Sequence, residues 1–254
     1  MAYDFLEHDG LLAFAHRGGA SSWPENTMPA FQGAIDLGYR YIETDVHATR
    51  DGVLLAFHDD VLDRVTDMRG KINEMDYAEV SKARVAGREP IPLLEEILAA
   101  WPDVKVNIDP KADEAIKPLI DVLNKKGVVD RVCVTSFSNR RTRLIREDLG
   151  RRLCTGIGPW SVTRLKFSTF SGPAHRLWGG YDAGCAQLPV RQAGFELMVP
   201  ALIDRAHEHG LQVHVWTIDD PEEMNRLIDL GVDGIMTDEP AILKAVLEKR
   251  GLWP

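Results

Sequence analysis

Two acidic side chains share one face of a run that alternates like a β-strand. In YIETDV, Glu43 and Asp45 lie two residues apart, so their side chains point to the same side of a strand, while the residues between them point to the other. That other face can pack against helices, which turns the carboxylates towards the interior of the fold. Two unpaired carboxylates are costly to bury, and a divalent cation would remove that cost.

The run VKVNIDPK repeats this arrangement on a second predicted strand. Asn107, Asp109 and Lys111 share one face, which adds a third carboxylate and an amine. Three carboxylates with few soft ligands suit a hard ion that keeps positions open for phosphate oxygens and water. We therefore expect one divalent cation, Mg²⁺ or Ca²⁺. The alternative is a set of interior salt bridges without an ion.

Two histidines end strand-like runs. His16 closes LLAFAH and is followed by Arg17, Gly18 and Gly19, and His58 closes VLLAFH. With an unperturbed pKa of about 6.5, a pair of histidines can serve as base and acid across a phosphorus atom, in either assignment. Arg17 can donate two hydrogen bonds to one phosphate, and the glycines let the backbone approach it. The pattern indicates proton transfer on a phosphate ester.

These side chains need a scaffold that brings strand ends together, and the chain repeats strand-like runs with helical segments between them. The eight runs are LLAFA, YIETDV, VLLAF, VKVNID, RVCVTSF, RRLCTGI, QVHVWTI and GIMTD. Helical periodicity fills several intervals, for example TMPAFQGAIDLG and PEEMNRLIDLG. The rhythm predicts an α/β fold, a TIM (β/α)8 barrel formed by residues 1–254 as one domain. A ninth run, CAQLP, leaves open which candidate lies outside the ring.

The interval between His58 and Val104 breaks that rhythm. Residues 59–92 are polar, rich in turn-forming residues and too long for an ordinary connection from a strand to a helix. We expect them to form a small inserted subdomain after the third strand. Such an insertion would lie over the rim of the barrel, where barrels of this kind place their functional residues.

The composition argues against several classes of protein. Of the 254 residues, 44% are hydrophobic and 27% are charged, as in soluble globular domains. The net charge of −9 disfavours nucleic acid and anionic membranes as partners, because both require a basic surface. No apolar run approaches the roughly 18 residues of a membrane span, so we expect no stable membrane insertion. Cys133, Cys154 and Cys185 are expected to be inert thiols in a reducing, cytoplasmic environment.

The order of the motifs resembles the glycerophosphodiester phosphodiesterase family, in its bacterial cytosolic form, over nearly the whole chain. The motifs are AHRGG, PENT, IETDVHATRDGVLLAFHDD, NIDPK, VTSF and VWTIDDPEEMNRLIDLGVDGIMTDEP. The resemblance implies a barrel with a small subdomain inserted after the HD motif. It also implies metal ligands, an acid and base pair, and phosphate contacts, which are Glu43, Asp45 and Asp109; His16 and His58; and Arg17 and Lys111.

Two positions qualify this resemblance. Glu25 of PENT belongs to a motif that borders the site in the family, where it either reaches the metal or orients Arg17. The family usually has Glu-X-Lys at its third acidic position, whereas this chain has Asp109, Pro110 and Lys111. Aspartate is shorter by one methylene, so an ion would lie closer to that strand or a water would bridge the gap. The related sphingomyelinase D branch uses Asp-X-Lys, so the change is compatible with activity.

The resemblance favours glycerophosphodiesters as small-molecule substrates, with glycerol 3-phosphate and an alcohol as products. The nucleophile is either a metal-bound water or the 2-hydroxyl of the glycerol moiety, which would give a cyclic phosphate. Phe137 and Trp216 lie near strand ends and are candidates for an apolar wall against the glycerol carbons. The aromatic stretch 159–184 could accept an acyl chain, which would make the enzyme a lysophospholipase D.

Other functions remain open at this stage. A sphingomyelinase D-like phosphodiesterase would use the same groups. A metal-dependent sugar isomerase or aldolase would also use carboxylates and histidines on a barrel. The HRGG motif, which suits a bound phosphate, argues against that class. A noncatalytic phospholipid-binding barrel would typically lose a histidine or a ligand. Here every role is filled, and Asp109 is the one departure. The sequence makes no prediction about the oligomeric state.

Overall fold

Strands and helices alternate along residues 3–125, 127–170, 179–192 and 194–253, the part of the chain that the computed structural model describes. The strands are β1 (Leu12–Ala15), β2 (Tyr41–Ala48), β3 (Leu54–Ala56), β4 (Arg84–Val85), β5 (Glu89–Pro90), β6 (Lys105–Pro110), β7 (Val132–Val134), β8 (Cys154–Thr155), β9 (Cys185–Pro189), β10 (Arg191–Gln192), β11 (Phe195–Glu196), β12 (Gln212–Trp216) and β13 (Gly234–Thr237). The α-helices are α1 (Met28–Asp36), α2 (Tyr77–Val80), α3 (Leu94–Ala100), α4 (Ile116–Leu123), α5 (Asn139–Leu149), α6 (Pro159–Ser168), α7 (Pro200–Glu208), α8 (Pro221–Asp229) and α9 (Pro240–Lys249).

Eight parallel strands form a nearly closed barrel. Their order around the ring is β8, β7, β6, β2, β1, β13, β12 and β9. Among the described residues, one isolated parallel bridge, between Gly156 and Cys185, joins the two ends of this sheet. A large core cluster fills the layer between the barrel and the helices, with Ile42 of β2 and Phe31 of α1 among its members. The predicted TIM barrel is confirmed, and CAQLP, which is β9, belongs to the ring.

The run VLLAF is the candidate that lies outside the ring. It forms β3, which pairs antiparallel with the end of β2, so that Val46 lies opposite Ala56 and Ala48 lies opposite Leu54. Residues 49–53 alone connect the two strands, whereas a parallel partner would need a crossover of about a dozen residues or more. The run therefore folds back as a hairpin arm. This arm carries His58 to the rim of the barrel from outside.

Residues 59–92 follow this arm and contain helix α2 and the antiparallel pair of β4 and β5. They share a small hydrophobic cluster with the arm. Its buried members are Leu55, Phe57, Leu62, Ile72, Val80, Ala83, Val85 and Ile91. Because Leu55 and Phe57 belong to the arm, the cluster anchors the segment next to His58. Among the barrel strands alone, the insertion follows the second one.

The helices begin and end at the residue types that favour these positions. The side chain of Thr27 accepts a hydrogen bond from the backbone of Ala30 at the start of α1, and Asp220 accepts one from Glu223 at the start of α8. Gly38 and Gly231 follow these helices with positive φ angles of 98° and 84°, which glycine adopts without strain. No helix in the described residues has the length and apolarity of a membrane span.

An N-terminal 3₁₀ turn, Asp4–Leu6, closes the bottom of the barrel. Phe5 is fully buried and meets the ring of Tyr41 edge to face, with centroids 5.4 Å apart. The Tyr41 hydroxyl donates a hydrogen bond to the carbonyl of Phe5 at 2.9 Å. Lys105 donates from Nζ to the carbonyls of Asp4 and Glu7 at 2.6 and 2.7 Å. This floor leaves the opposite rim as the place for a substrate cavity.

A layer of polar side chains crosses the barrel above the floor. Gln187 donates from Nε2 to Asn107 Oδ1 at 2.9 Å and lies 3.3 Å from Nδ1 of His214. His214 Nε2 in turn lies 3.1 Å from Oε1 of Gln212. Each of these buried or partly buried groups therefore has a partner on a neighbouring strand or on its own strand, which removes the penalty of an unpaired polar group. The layer ties β6, β9 and β12 together beneath the rim.

We predict that the substitution Phe5→Ala lowers the free energy of unfolding by about 3–5 kcal/mol, because it opens a cavity in the floor of the barrel. Urea denaturation followed by circular dichroism measures this change. The matched control is Phe167→Ala, whose side chain is 62% exposed, and we expect it to change stability by less than about 0.5 kcal/mol. An equal effect of the two substitutions would show that Phe5 does not seal the floor.

Candidate active site

A cavity of about 210 Å³ opens at the C-terminal rim of the barrel. Of the residues expected in the site from the sequence, the cavity is lined by His16, Arg17, Glu43, Asp45, His58, Asp109, Lys111, Phe137 and Trp216. Sites that enclose drug-sized ligands typically measure about 300–1,000 Å³, so this cavity suits a smaller molecule. The structure thus brings nine of the expected side chains to one cavity, although they come from widely separated parts of the chain.

The two carboxylates of β2 lie deep in this cavity. Glu43 is 4% exposed and Asp45 is 2% exposed. Burial and the charge of Asp45 raise the pKa of Glu43 to about 7. Burial also opposes ionisation of Asp45, but the cationic groups of Lys111 and Arg17 outweigh it and hold the pKa of Asp45 below its usual value. The two neighbouring carboxylates therefore differ, since Asp45 loses its proton more readily than usual and Glu43 less readily.

The HRGG motif forms a tight turn against Glu43. Arg17 has a left-handed backbone with φ of 53°, and its N–H donates to Oε2 of Glu43 at 3.1 Å. Gly18 follows with φ of 83°, and a Cβ at this position would lie 2.7 Å from the Cβ of Ala30. A side chain at Gly18 would therefore be excluded both by the backbone conformation and by space. The turn gives a backbone donor to the carboxylate and aims the Arg17 side chain at the cavity.

Asp238, which the sequence analysis missed, holds His16. The Nδ1 atom of His16 lies 2.8 Å from Oδ1 of Asp238, while Nε2 lies 3.8 Å from Oε2 of Glu43. Burial disfavours the protonated imidazole, but the charges of Glu43 and Asp238 outweigh it and raise the pKa of His16. Asp238 reaches His16 because β1 pairs with β13, with Ala15 opposite Thr237. In a closed barrel the first and last strands pair, so the predicted barrel already implied that an acidic residue at the end of GIMTD lies near His16.

His58 has an equivalent carboxylate partner next to it in the chain. Its Nδ1 atom lies 2.6 Å from Oδ1 of Asp59. The hydrogen bond from Arg64, helped by the one from His58, holds the pKa of Asp59 at about 2. The buried His47 donates from Nε2 to the backbone carbonyl of His58 at 3.1 Å. These contacts fix the position of His58, and they leave its Nε2 atom as the ring nitrogen without a carboxylate partner among the described residues.

Glu25 lies behind the cavity and does not line it. Its carboxylate accepts hydrogen bonds from Arg17 at 3.0 Å and from Arg64 at 2.7 and 2.8 Å. Glu25 therefore connects the HRGG turn with the insertion that carries Arg64. Of the two roles considered for it, the structure shows the contact with Arg17.

Lys111 lies between two of the carboxylates. Its Nζ atom is 2.7 Å from Oδ1 of Asp45 and 2.9 Å from Oδ2 of Asp109. The oxygens of Glu43, Asp45 and Asp109 are consequently not gathered into one cluster within 4.8 Å in the described part of the chain. The other oxygen of Asp109, Oδ1, is buried without a hydrogen-bond partner among the described residues.

This arrangement is compatible with a hard divalent cation. The available donors in the centre of the cavity are carboxylate oxygens, which are the ligands that Mg²⁺ and Ca²⁺ prefer. The unpartnered oxygen of Asp109 and the raised pKa of Glu43 both indicate that an additional positive charge would stabilise these carboxylates. Pro110 does not interrupt β6, because the ladder continues with the N–H of Lys111, which donates to the carbonyl of Val46 at 3.1 Å.

Phe137 and Trp216 form an aromatic wall on one side of the cavity. Their rings meet edge to face with centroids 5.7 Å apart, and Nζ of Lys111 lies 5.9 Å from the centre of the Phe137 ring. Phe137 is 63% exposed, which leaves its surface free to contact a ligand. The expected apolar surface thus lies directly beside the charged groups of Lys111 and the carboxylates.

We predict that Asp238→Asn lowers the pKa of His16, because it removes a negative charge that stabilises the protonated imidazole. Titration of the His16 ring protons by nuclear magnetic resonance measures the shift. The variant Asp219→Asn is the control, because Asp219 is bonded to the backbone of Asp238 rather than to His16. A pKa of His16 that does not change in Asp238→Asn would contradict the proposed positioning role of Asp238.

Comparisons with known proteins identify the family to which the chain is similar. The model of the glycerophosphoryl diester phosphodiesterase family matches residues 16–242. A Mycobacterium tuberculosis protein named "Probable glycerophosphodiester phosphodiesterase 2" is 41% identical over 252 residues, which cover 98% of this chain and 96% of that protein.

Solved structures share the fold. A glycerophosphodiester phosphodiesterase from Agrobacterium tumefaciens is 24% identical and superposes with a TM-score of 0.76, covering 92% of this chain and 99% of that one. An Oleispira antarctica phosphodiesterase, solved in complex with the product sn-glycerol-3-phosphate, is 23% identical with a TM-score of 0.76, covering 94% and 97% of the two chains. The chain therefore belongs to the glycerophosphoryl diester phosphodiesterase family and, as the sequence predicted, is an enzyme of that class.

Proposed function

We propose that this enzyme hydrolyses glycerophosphodiesters to sn-glycerol 3-phosphate and an alcohol, with a divalent cation and two histidines. The observation that carries the proposal is the convergence of His16 and His58 on one cavity whose centre holds the carboxylates of β2. The size of the cavity supports a substrate with a small head group. The Oleispira phosphodiesterase of the same fold, solved with sn-glycerol-3-phosphate, gives independent support for the product.

The two histidines share the roles of proton acceptor and proton donor. In both, Nδ1 is occupied by a carboxylate, Asp238 for His16 and Asp59 for His58. The remaining ring nitrogen, Nε2, is therefore the atom that exchanges a proton with the substrate in each case. One histidine removes a proton from the nucleophile, which is a water or the glycerol 2-hydroxyl, and the other protonates the leaving oxygen.

The cationic side chains bind and orient the phosphate. Arg17 is held at its guanidinium by Glu25 and Asp45, and Lys111 is held between Asp45 and Asp109. Both line the cavity, so they present positive charge to the oxygens of a phosphodiester. Phe137 and Trp216 then contact the glycerol carbons. Fixed donors of this kind stabilise the charge that develops on the phosphate during attack.

Glu43, Asp45 and Asp109 are the residues that would hold the divalent cation, Mg²⁺ or Ca²⁺. When bound, the cation would neutralise charge on the phosphate oxygens and lower the pKa of a coordinated water. The support is the all-oxygen donor set together with the buried, unpartnered oxygen of Asp109. Lys111 now contacts Asp45 and Asp109, so binding of the cation would replace these contacts at the carboxylates.

We also propose a cytoplasmic location and a small-molecule partner without nucleic acid. The three cysteines are free thiols, which suits a reducing compartment. The net charge of −9 is unfavourable for contact with a nucleic acid backbone.

Hydrolysis of glycerophosphocholine by the purified enzyme tests the proposed function. We expect release of glycerol 3-phosphate with Mg²⁺ or Ca²⁺ and none with chelator, and we expect His16→Ala and Glu43→Ala to lower kcat/KM by at least about 10²-fold. The control is His207→Ala. His207 lies in the last turn of α7 and pairs with Asp233, which directly precedes β13, so it lies at the end of the barrel away from the cavity. It should retain full activity.

The outcomes separate the remaining alternatives. Activity that persists in chelator would refute the role of the cation, and activity that persists in His16→Ala would refute the two-histidine mechanism. A wild-type enzyme without activity on glycerophosphodiesters and lysophospholipids, with every ion, would favour a phospholipid-binding barrel that has lost catalysis.

A second candidate substrate is a lysophospholipid, as for a lysophospholipase D. Ile157, Pro159, Val162 and Leu188 give one side of the cavity an apolar lining. Three aromatic side chains at or next to its lining residues are more than 60% exposed, namely Phe137, Trp160, which follows Pro159, and Phe195, which pairs with Gln192. Such an exposed apolar surface next to a site is typical of contact with an apolar ligand. Residues 171–178 of the aromatic stretch lie outside the described residues.

We predict that Trp160→Ala lowers kcat/KM for lysophosphatidylcholine by about fivefold, which corresponds to the loss of roughly 1 kcal/mol of apolar contact. Trp160 lies between Pro159 and Val162 of the cavity lining and is 71% exposed, so the substitution should not affect folding. Glycerophosphocholine lacks the acyl chain and serves as the control substrate. Equal losses on both substrates would contradict an acyl-chain contact at this surface.

A further inference from the structure

Three cysteine side chains meet inside the barrel beneath the active-site cavity. Cys133 on β7, Cys154 on β8 and Cys185 on β9 are at most 1% exposed, and all are free thiols. Their sulfur atoms all lie within 4.8 Å of one another, and those of Cys133 and Cys185 are 3.8 Å apart. No other group of three His, Cys, Asp or Glu side chains converges in this way in the described residues.

The thiols lie where the barrel closes least securely. Strand β8 has two residues, and one parallel bridge between Gly156 and Cys185 connects this side of the sheet with β9. The flanking hydrogen bonds run from the N–H of Ile157 to the carbonyl of Cys185 and from the N–H of Gly184 to the carbonyl of Thr155, both at 2.9 Å. A ligand shared by β7, β8 and β9 would therefore cross-link the seam of the ring.

The spacing of the sulfurs fits a tetrahedral thiolate centre. Zinc binds thiolate sulfur at about 2.3 Å, so two thiolates on one tetrahedral ion lie about 3.8 Å apart. The sulfurs of Cys133 and Cys185 already have this separation. The other two separations, which are at most 4.8 Å, need to shorten by no more than about 1 Å. Rotation of side chains on fixed strands can supply a movement of this size.

The surroundings of the thiols favour a bound cation. Electron-rich atoms surround Cys185, since the sulfur of Cys133 lies 3.8 Å from its own sulfur and the carbonyl oxygen of Thr155 lies 4.0 Å from it. The imidazole of His214 lies near Cys185, but its two ring nitrogens already have Gln187 and Gln212 as partners, so the three sulfurs are the protein ligands of the site. Lys105 is close enough to interact electrostatically with Cys154, and its amine donates to the carbonyl of Asp4 and the hydroxyl of Tyr41. It would offset the net negative charge of a dication with three thiolates.

We propose that Cys133, Cys154 and Cys185 bind one Zn²⁺ ion, which cross-links β7, β8 and β9 and stabilises the closed barrel. Binding displaces the remaining thiol protons. This site and the carboxylates of the cavity would bind different ions. Sulfur ligands select zinc over Mg²⁺ and Ca²⁺, whereas carboxylate oxygens select the hard ions. The proposal does not depend on the proposed function. It differs from the expectation that these cysteines are inert, and the metal titration below decides between the two.

Cobalt substitution tests this site in the full-length enzyme. The reduced protein is unfolded, refolded with Co²⁺ and freed of excess ion. We expect one tightly bound Co²⁺ per chain with a thiolate-to-cobalt charge-transfer band, displacement of that band by Zn²⁺, and a rise in Tm on the order of 5 °C with zinc. The control Glu43→Gln should keep the band, because it alters only the carboxylate site.

The variants Cys154→Ser and Cys185→Ser should lose the charge-transfer band and the gain in Tm. If either fails to fold, the wild-type titration alone decides the question. Cobalt that binds without a thiolate band, or a band that remains in Cys185→Ser, would overturn the proposal. So would wild-type protein that refolds in Co²⁺ or Zn²⁺ with no bound ion, and the three cysteines would then be packed thiols only.

Discussion

The burial of two like charges on one face of β2 is the constraint on which the site depends. Glu43 and Asp45 are almost inaccessible, and neither could remain ionised there without compensation. Arg17 contributes twice, through its backbone N–H to Glu43 and its guanidinium to Asp45. Lys111 contributes its amine to Asp45. The left-handed turn that presents the Arg17 N–H requires Gly18 beside it. The hydrogen bond to Glu43 therefore depends on this local backbone conformation.

The interior of the barrel changes in character from bottom to top, and this order supports the charged rim. Phe5 and Tyr41 seal the floor with aromatic contacts, and above them the amides of Asn107 and Gln187 form a neutral polar layer. That layer satisfies its own hydrogen bonds and gives the ionic groups a fixed base. A well-packed base keeps the carboxylates close together, although their repulsion would separate them on a flexible segment. The three cysteines pack with the floor aromatics Phe5 and Tyr41 in one hydrophobic cluster, at the closing seam.

The sequence predicted what depends on local periodicity and missed what depends on closure of the ring. Alternation placed the carboxylates of β2 and β6 on inward faces, and the parallel register sets Asp45 opposite Asp109. The contact between His16 and Asp238 spans 222 positions and exists because the first and last strands pair. Alternation also could not distinguish β3, an antiparallel arm, from a barrel strand, since both patterns look alike. Short connection length was the clue to that arm.

The most direct test of this account is calorimetric titration of the metal-free enzyme with Mg²⁺ and with Ca²⁺, in the wild type and in the nearly isosteric double variant Glu43→Gln and Asp45→Asn. If the buried carboxylates exist to hold a hard cation, the wild type binds one equivalent of at least one of the two ions and the double variant binds none. Equal binding by both proteins, or no binding by a folded wild type, would contradict the account. The charges of the cavity would then be balanced by Arg17 and Lys111 alone.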